Sequence, residues 1–412
     1  MSVNAKRNGT LIGGLLIMLC VGILYMWSIF QPYVVKYHGW SAGDVAMTSA
    51  LMIACFVVGN ILGGLVQMKF DPRAITLVGC LMFSFGIYLT SCIGNGSPWM
   101  LYLTYSVCSG LGCGFAYCTV LYALQKWFAD KNGLITGITV FFFGASVMVL
   151  SPVVNKMLEN MGLTETFRSL AIVFGVITVI CSFFVVQPDP AYYMEKASKV
   201  LRPDEFKQFT PSEVLRTPIY YCQVVSMILS SGAYLVIIPF IKDIAMERGM
   251  SSHIGVIAVM VTGAANAAGR ILAPMVSDKL GRTRSIVGCC VISALACVGL
   301  IFANTAAAYL AAIFLVAFAY GGTSGINPVI STELFGAKNS GTNYGLVMIS
   351  IAISSVLFGK ISASAAGSSF TPIFILCAGV CVVPVILMSW LWFLRRFSPS
   401  VPSAPVPAGR LF

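Results

Sequence analysis

Residues 253–284 read HIGVIAVMVTGAANAAGRILAPMVSDKLGRTR, an apolar run from His253 to Val276 holding a single charge, Arg270, followed by a loop dense in charge. At 1.5 Å per residue a helix of that length crosses a hydrocarbon core of about 30 Å. The same pattern recurs along the chain. Twelve such runs fall at 10–35, 45–67, 74–93, 99–125, 133–156, 167–187, 218–241, 253–276, 285–303, 306–332, 341–364 and 371–394. Of the 412 residues, 58% are hydrophobic and 9% charged, against about 25% charged in soluble proteins. These values exclude a soluble enzyme and a disordered chain, and runs of this length exclude a barrel built from alternating ten-residue strands. Glycine (39) and proline (18) are spread through the runs, as membrane helices tolerate. The expected class is an all-α membrane protein with the lipid bilayer as its solvent.

The net charge of +11 would point to nucleic acid in a soluble protein, but here the location of the charges matters more than their sum. With a cytoplasmic N-terminus, eighteen Lys and Arg fall on the inner side and five on the outer: Lys36, Lys156, Arg168, Lys242 and Arg248. The positive-inside bias therefore predicts cytoplasmic N- and C-termini in the cell (inner) membrane, and no nucleic-acid partner. The 14 cysteines lie mostly within apolar runs, without a C-x-x-C pair, so neither a disulfide framework nor a metal site is expected. The first run follows Lys6 and Arg7 and is too long for a signal-peptide core, so it reads as a retained helix.

A polar stretch from Pro188 to Pro218 divides the runs six and six. Pro32 pairs with Pro239, Lys69 with Lys279, and Phe128-Ala-Asp-Lys-Asn with Phe335-Gly-Ala-Lys-Asn, at offsets of 207, 210 and 207. The expected organisation is two six-helix pseudo-repeats, 1–187 and 218–394, with a cytoplasmic linker at 188–217 and a tail at 395–412. Parallel repeats of this kind build secondary transporters around a midplane site.

All Asp and Glu residues, Asp243 among them, map to loops or run ends, which leaves no carboxylate at membrane depth. Arg270 stands eight residues before Asp278, about 12 Å from the inner boundary. A charge there is costly and turns toward the bundle interior or a wet cavity. Gly263, Asn266, Ala267 and Pro274 share its helical face, whereas Leu272, Met275 and Val276 lie elsewhere. With no buried acid to neutralise it, an exchangeable small carboxylate is the expected partner, because the guanidinium fork matches a carboxylate bidentately. Tyr25 and Gln31 in the first run, Tyr117 and Tyr122 in the fourth and Tyr320 in the tenth supply polar groups; packing and interface anchoring are the ordinary roles of such aromatics. Lys360 lies toward the outer end of its run and reads as a snorkelling lysine. Glycines at 59, 63 and 64 and at 110, 112 and 114 read as close helix packing. No catalytic constellation and no cofactor motif is present.

The loop Asp278-Lys279-Leu280-Gly281-Arg282-Thr283-Arg284 resembles the D-[RK]-x-G-[RK]-x-[RK] signature of the major facilitator superfamily; its counterpart in the first half has Met68 where the acid would stand. Tyr25-Met-Trp27-Ser28, Lys126-Trp127-Phe128 with the residues to Leu134, and Phe335 through Gly345 narrow the resemblance to the oxalate/formate antiporter family, relatives of the monocarboxylate transporters. The resemblance implies an alternating-access carrier with Arg270 at the family's helix 8 arginine. It implies Tyr25, Gln31, Tyr117 and Tyr320 as cavity residues, and Asp278, Lys279, Gly281, Arg282 and Arg284 as a conformational-switch motif. The family's oxalate carriers place a lysine where Ile351 stands, and its proton-coupled members place an aspartate where Asn266 stands. One central cation therefore favours a monocarboxylate such as formate, lactate or pyruvate, moved by exchange or facilitated flux by a monomer. A proton-coupled organic anion carrier and a membrane nutrient sensor are the alternatives.

Overall fold

A computed structural model describes residues 2–67, 70–94, 97–197, 209–336, 340–364 and 370–397. Among them every regular element is helical. The spans are α1 (Val3–His38), α2 (Ala42–Val66), α3 (Pro72–Ser91), α4 (Pro98–Trp127), α5 and α6 within Asn132–Ser182, α7 (Pro218–Glu247), α8 (Ser252–Leu280), α9 (Arg282–Phe302), α10 (Ala306–Phe335), α11 (Ser340–Ser364), and α12 (Thr371–Val380 continuing as Val382–Phe397). The helical stretch Asn132–Ser182 has 51 residues, far more than one crossing needs. It reverses at Gly162, whose φ of 77° and ψ of −178° lie outside the helical region and suit only glycine, so α5 is 132–161 and α6 is 163–182. Eleven continuous helices thus make twelve crossings. Met68, Lys69, Lys338 and the tail from 398 lie outside the described residues, as does 198–208 of the expected linker. Flanking that gap are a helix at Pro190–Ala197 and a turn at Pro211–Val214, the latter closed by a Thr210–Glu213 capping box.

Helices α1 and α7 form the centre: 78% of the most apolar stretch of each is buried, against 33% in α12. Both are interrupted. A 3₁₀ segment, Gly22–Met26, tightens α1, and another, Ile238–Phe240, tightens α7 at Pro239. Gly22 lets α1 touch α5, since a methyl there would collide with the Phe143 carbonyl and Ser146. The helix packing within each half rests on such absent side chains. Gly59 and Gly114 bring α2 against α4, Gly79 and Gly112 bring α3 against α4, and Gly269, Gly321 and Gly325 bring α8 against α10.

Two seams join the first six spans to the last six. Gly43 and Ala50 of α2 meet Ala363 and Gly359 of α11, and Gly144 and Met148 of α5 meet Ala267 and Gly263 of α8. The seams are equivalent under the six-helix repeat. Residues 21–31 of α1 and 230–242 of α7 are buried on every side, whereas the ends of both helices nearer the N-terminal face alternate between buried and exposed positions. The bundle is therefore sealed between its halves on the face opposite the N-terminus, the far face. Helix α7 continues past its apolar run to Glu247, so Lys242 and Asp243 lie inside this sealed end rather than in an outer loop.

Candidate functional site

Arg270 sits ten residues before the end of α8 and is partly accessible despite its depth. The α8 face carrying Gly263, Asn266 and Ala267 is buried, while Leu272, Met275 and Val276 are exposed. One turn away, Asn266 accepts from Arg270 Nε through Oδ1 at 2.8 Å, and Arg270 Nη2 donates to the Tyr25 hydroxyl at 3.3 Å. The guanidinium also faces the Tyr25 ring at 6.0 Å. These contacts fix the plane of the fork and leave Nη1 without a hydrogen bond among the described residues. Arg270 likewise forms no ion pair among them, so its charge is met by dipoles alone.

The dipoles are phenols. The Tyr25 and Tyr320 hydroxyls are hydrogen-bonded at 3.3 Å. Tyr234 of α7 stacks on Tyr320 with ring centroids 4.4 Å apart, and its buried hydroxyl lies beside Asn266 and Thr262 without a well-formed hydrogen bond to either. Tyr117 of α4 and Tyr344 of α11 lie within electrostatic range of Arg270. Phe143 holds Tyr25 and Tyr117 edge-on at 5.8 and 4.9 Å, and Phe56 packs on Tyr117 at 5.2 Å. Both halves thus contribute to one buried aromatic cluster, with Arg270 as the cation set against it among the described residues.

Arg270, Asn266, Tyr25, Tyr117 and Tyr320 are brought together. Gln31 is not part of that group. Its Nε2 donates to Asp243 Oδ2 at 3.1 Å, in the sealed end, because six residues of helix carry it well beyond Tyr25. Asp243, counted in the sequence among residues at run ends, is held between helices there. The sequence does not mark Tyr234 or Tyr344 as site residues; the second lies in the Phe335–Gly345 stretch that carries the resemblance, and the first is a phenol in an apolar run. Lys360 is exposed near the far end of α11, and Ile351 is buried two turns beyond Tyr344 on the same face. Tyr122 is exposed beneath the Lys126 ammonium, 4.4 Å from its ring centroid.

The Asp278–Arg284 loop forms a staple at the N-terminal face. Gly281 turns the chain at φ 92°, which favours glycine. Arg282 pairs with Asp278 at 2.5 Å and with Glu333 of α10 at 2.9 Å, and it donates to Ser277 Oγ and the Pro274 carbonyl at 2.6 and 3.1 Å. It therefore ties the end of α8, the start of α9 and the end of α10. Lys279 and Arg284 are exposed. Asp278 is 62% exposed, so its pair is screened. Arg282→Gln is expected to cost a few kcal/mol by leaving Glu333 unpaired, and Asp278→Asn at most about 1 kcal/mol. Thermal unfolding in detergent checks the order, and an equal loss in both variants contradicts it.

Residues 10–359 match the profile of the Major Facilitator Superfamily. A protein of Escherichia coli (strain K12) described as the uncharacterized MFS-type transporter YhjX is 28% identical over 355 residues, 84% of this chain and 85% of its own. The oxalate:formate antiporter of Oxalobacter formigenes is 25% identical over 85% of this chain and 83% of its own. Monocarboxylate transporter 11 of Mus musculus is 22% identical over 63% of this chain and 57% of its own. Twelve crossings in two equivalent sets of six, an aromatic cluster shared between the sets and a match over most of the length lead to one assignment: the chain is a multi-pass membrane transporter of the Major Facilitator Superfamily.

Proposed function

We propose that this transporter carries small organic anions, specifically monocarboxylates of the formate, lactate or pyruvate kind, by alternating access in exchange or facilitated flux. One observation carries the reading. A guanidinium deep in the bundle, held in plane by Asn266 and Tyr25, keeps an open Nη1 edge and has no acid among the described residues to neutralise it. A carboxylate reaching the cluster supplies the missing charge, and the Tyr25, Tyr320 and Tyr234 hydroxyls offer hydrogen bonds to its other oxygens. An empty site leaves the cation uncompensated in a low-dielectric interior, which disfavours return of the unloaded carrier and so favours exchange. The relatives described as an oxalate:formate antiporter and a monocarboxylate transporter support the class of substrate.

The lysine and arginine bias supports a cytoplasmic N-terminal face in a cell (inner) membrane, and 1–187 and 218–394 are the proposed rocking bodies, joined by 188–217. A monomer suffices, because the cluster is complete within one chain. The deciding experiment is counterflow in vesicles containing the purified protein, loaded in turn with formate, acetate, lactate, pyruvate, oxalate and succinate. Saturable uptake stimulated by internal monocarboxylate is expected; uptake indifferent to every carboxylate overturns the reading.

Selectivity follows from the same count of charges. A dianion would leave one carboxylate without a cation, since Ile351 is buried and apolar and Lys360 is exposed near the far end of α11. Ile351→Lys is expected to improve inhibition by oxalate about tenfold relative to lactate, roughly the 1.4 kcal/mol of one charge-assisted hydrogen bond. Competition against a labelled monocarboxylate measures it, and parent protein that binds oxalate as well as any monoanion contradicts the single-cation argument.

A further inference from the structure

The sealed far end contains a charge that its surroundings compensate only in part, since Glu159 and Asp243 attract it from a distance without pairing with it. Lys242 of α7 is 2% exposed. Its ammonium donates to Asn155 Oδ1 of α5 at 2.8 Å and lies 4.9 Å from the ring centroid of Tyr33 on α1. Its stem crosses Gly255 of α8, where a methyl group would strike Lys242 Cγ. The carboxylates nearby are turned to other partners. Glu159 accepts from Asn155 Nδ2 at 2.7 Å, and Asp243 accepts from Gln31 at 3.1 Å. The lysine thus has one neutral acceptor and one aromatic face in place of a hydration shell. Every one of these partners belongs to the opposite half, apart from Asp243 and the helix that carries Gly255.

Removing an ammonium from water is costly, and a single amide oxygen recovers only part of that cost. When the halves part at this face, Lys242 meets water and the cost vanishes. The Asn155 bond acts in the other sense, because it exists only while the face is closed. We propose that Lys242 is a buried charge loaded against closure of the far face, with Asn155 as its restraint, and that this pair sets the balance between the present conformation and the one open on the far side. The proposal rests on the alternating-access reading for its purpose but not for its test.

The two partners of one hydrogen bond then have opposite effects. Lys242→Met keeps the volume of the stem and removes the desolvation cost, which stabilises closure. Asn155→Leu removes the acceptor and leaves the charge buried, which favours opening. Hydrogen–deuterium exchange of full-length protein in lipid nanodiscs reads the equilibrium from peptides covering 27–38 and 241–250. Exchange there is expected to slow about fivefold or more in Lys242→Met and to quicken by a similar factor in Asn155→Leu. In the double variant the Asn155→Leu effect shrinks, since the ammonium is no longer there to be stranded and only the exposed Glu159 loses its donor. Shifts of the same sign in both single variants, no shift in either, or an undiminished Asn155→Leu effect in the double variant overturns the proposal. The exchange measurement uses no substrate, so opposite shifts in a protein that moves no carboxylate would leave the pair standing and remove the substrate assignment alone.

Discussion

Arg270→Gln is expected to abolish the saturable carboxylate exchange proposed for this chain and yet to yield a protein at least as resistant to heat as the parent. Glutamine keeps a polar donor at the cluster but removes the charge and the fork, worth roughly 3 kcal/mol of carboxylate binding, or two orders of magnitude in affinity. The same substitution relieves a buried cation that phenols and an amide compensate only in part, so insertion and packing do not suffer. Loss of transport with retained or raised stability separates a binding residue from a structural one. Arg270→Lys restores a fraction of exchange, because an ammonium supplies charge without the planar pair of donors. Counterflow and thermal unfolding on the same preparations provide both readings, and near-normal exchange by the glutamine variant removes Arg270 from the site.

The second large effect lies in the crossing of α8 and α10. An added Cβ at Gly269 would strike the Phe318 carbonyl and the Gly322 amide, so the obstacle is backbone that no rotamer change can move aside. Gly269→Leu forces the helices apart one residue from Arg270 and shifts Tyr320, at a cost of about 1–3 kcal/mol or more from overpacking. Substrate binding and thermal stability fall together in that variant. Gly288→Leu on α9, where nothing lies within 4 Å of the added atom, serves as the matched control and leaves both unchanged. Size-exclusion profiles and unfolding midpoints distinguish the pair; equal behaviour of the two would mean that α8 and α10 are not held by close backbone contact.

Hydropathy made the crossings legible because each is long, apolar and bounded by charge, and the 207-residue offset made the repeat legible. The limits of both signals are equally physical. A window of apolar residues ends at the first charge, so α7 reads as stopping at Ile241 although hydrogen bonding carries the helix to Glu247. That is why Lys242 and Asp243 counted as loop charges. Arg270 stood out because a lone cation at mid-depth has few explanations, and its helical face followed from the period of the small residues around it. Gln31 was grouped with it on the resemblance, since a helix of known length still does not reveal at which height the two halves close on it. Tyr234 and Tyr344 carry no sequence mark of their own: a phenol in an apolar run looks the same whether its hydroxyl meets a carboxylate or a neighbouring carbonyl.

The 3₁₀ segment in α1 gives that helix the mechanics of a screw. Gly22–Met26 spans 5 residues and includes Tyr25, while Gln31 lies just beyond it. A 3₁₀ turn advances about 2.0 Å and 120° per residue, an α turn about 1.5 Å and 100°. Rewinding the five residues to α geometry would therefore shorten α1 by about 2.5 Å and rotate everything beyond the segment by about 100° relative to the part before it. Rotation on that scale would carry Gln31 away from Asp243 while Tyr25, inside the segment, left Arg270. A change of pitch over one and a half turns would thus couple the Arg270 end of α1 to its far end.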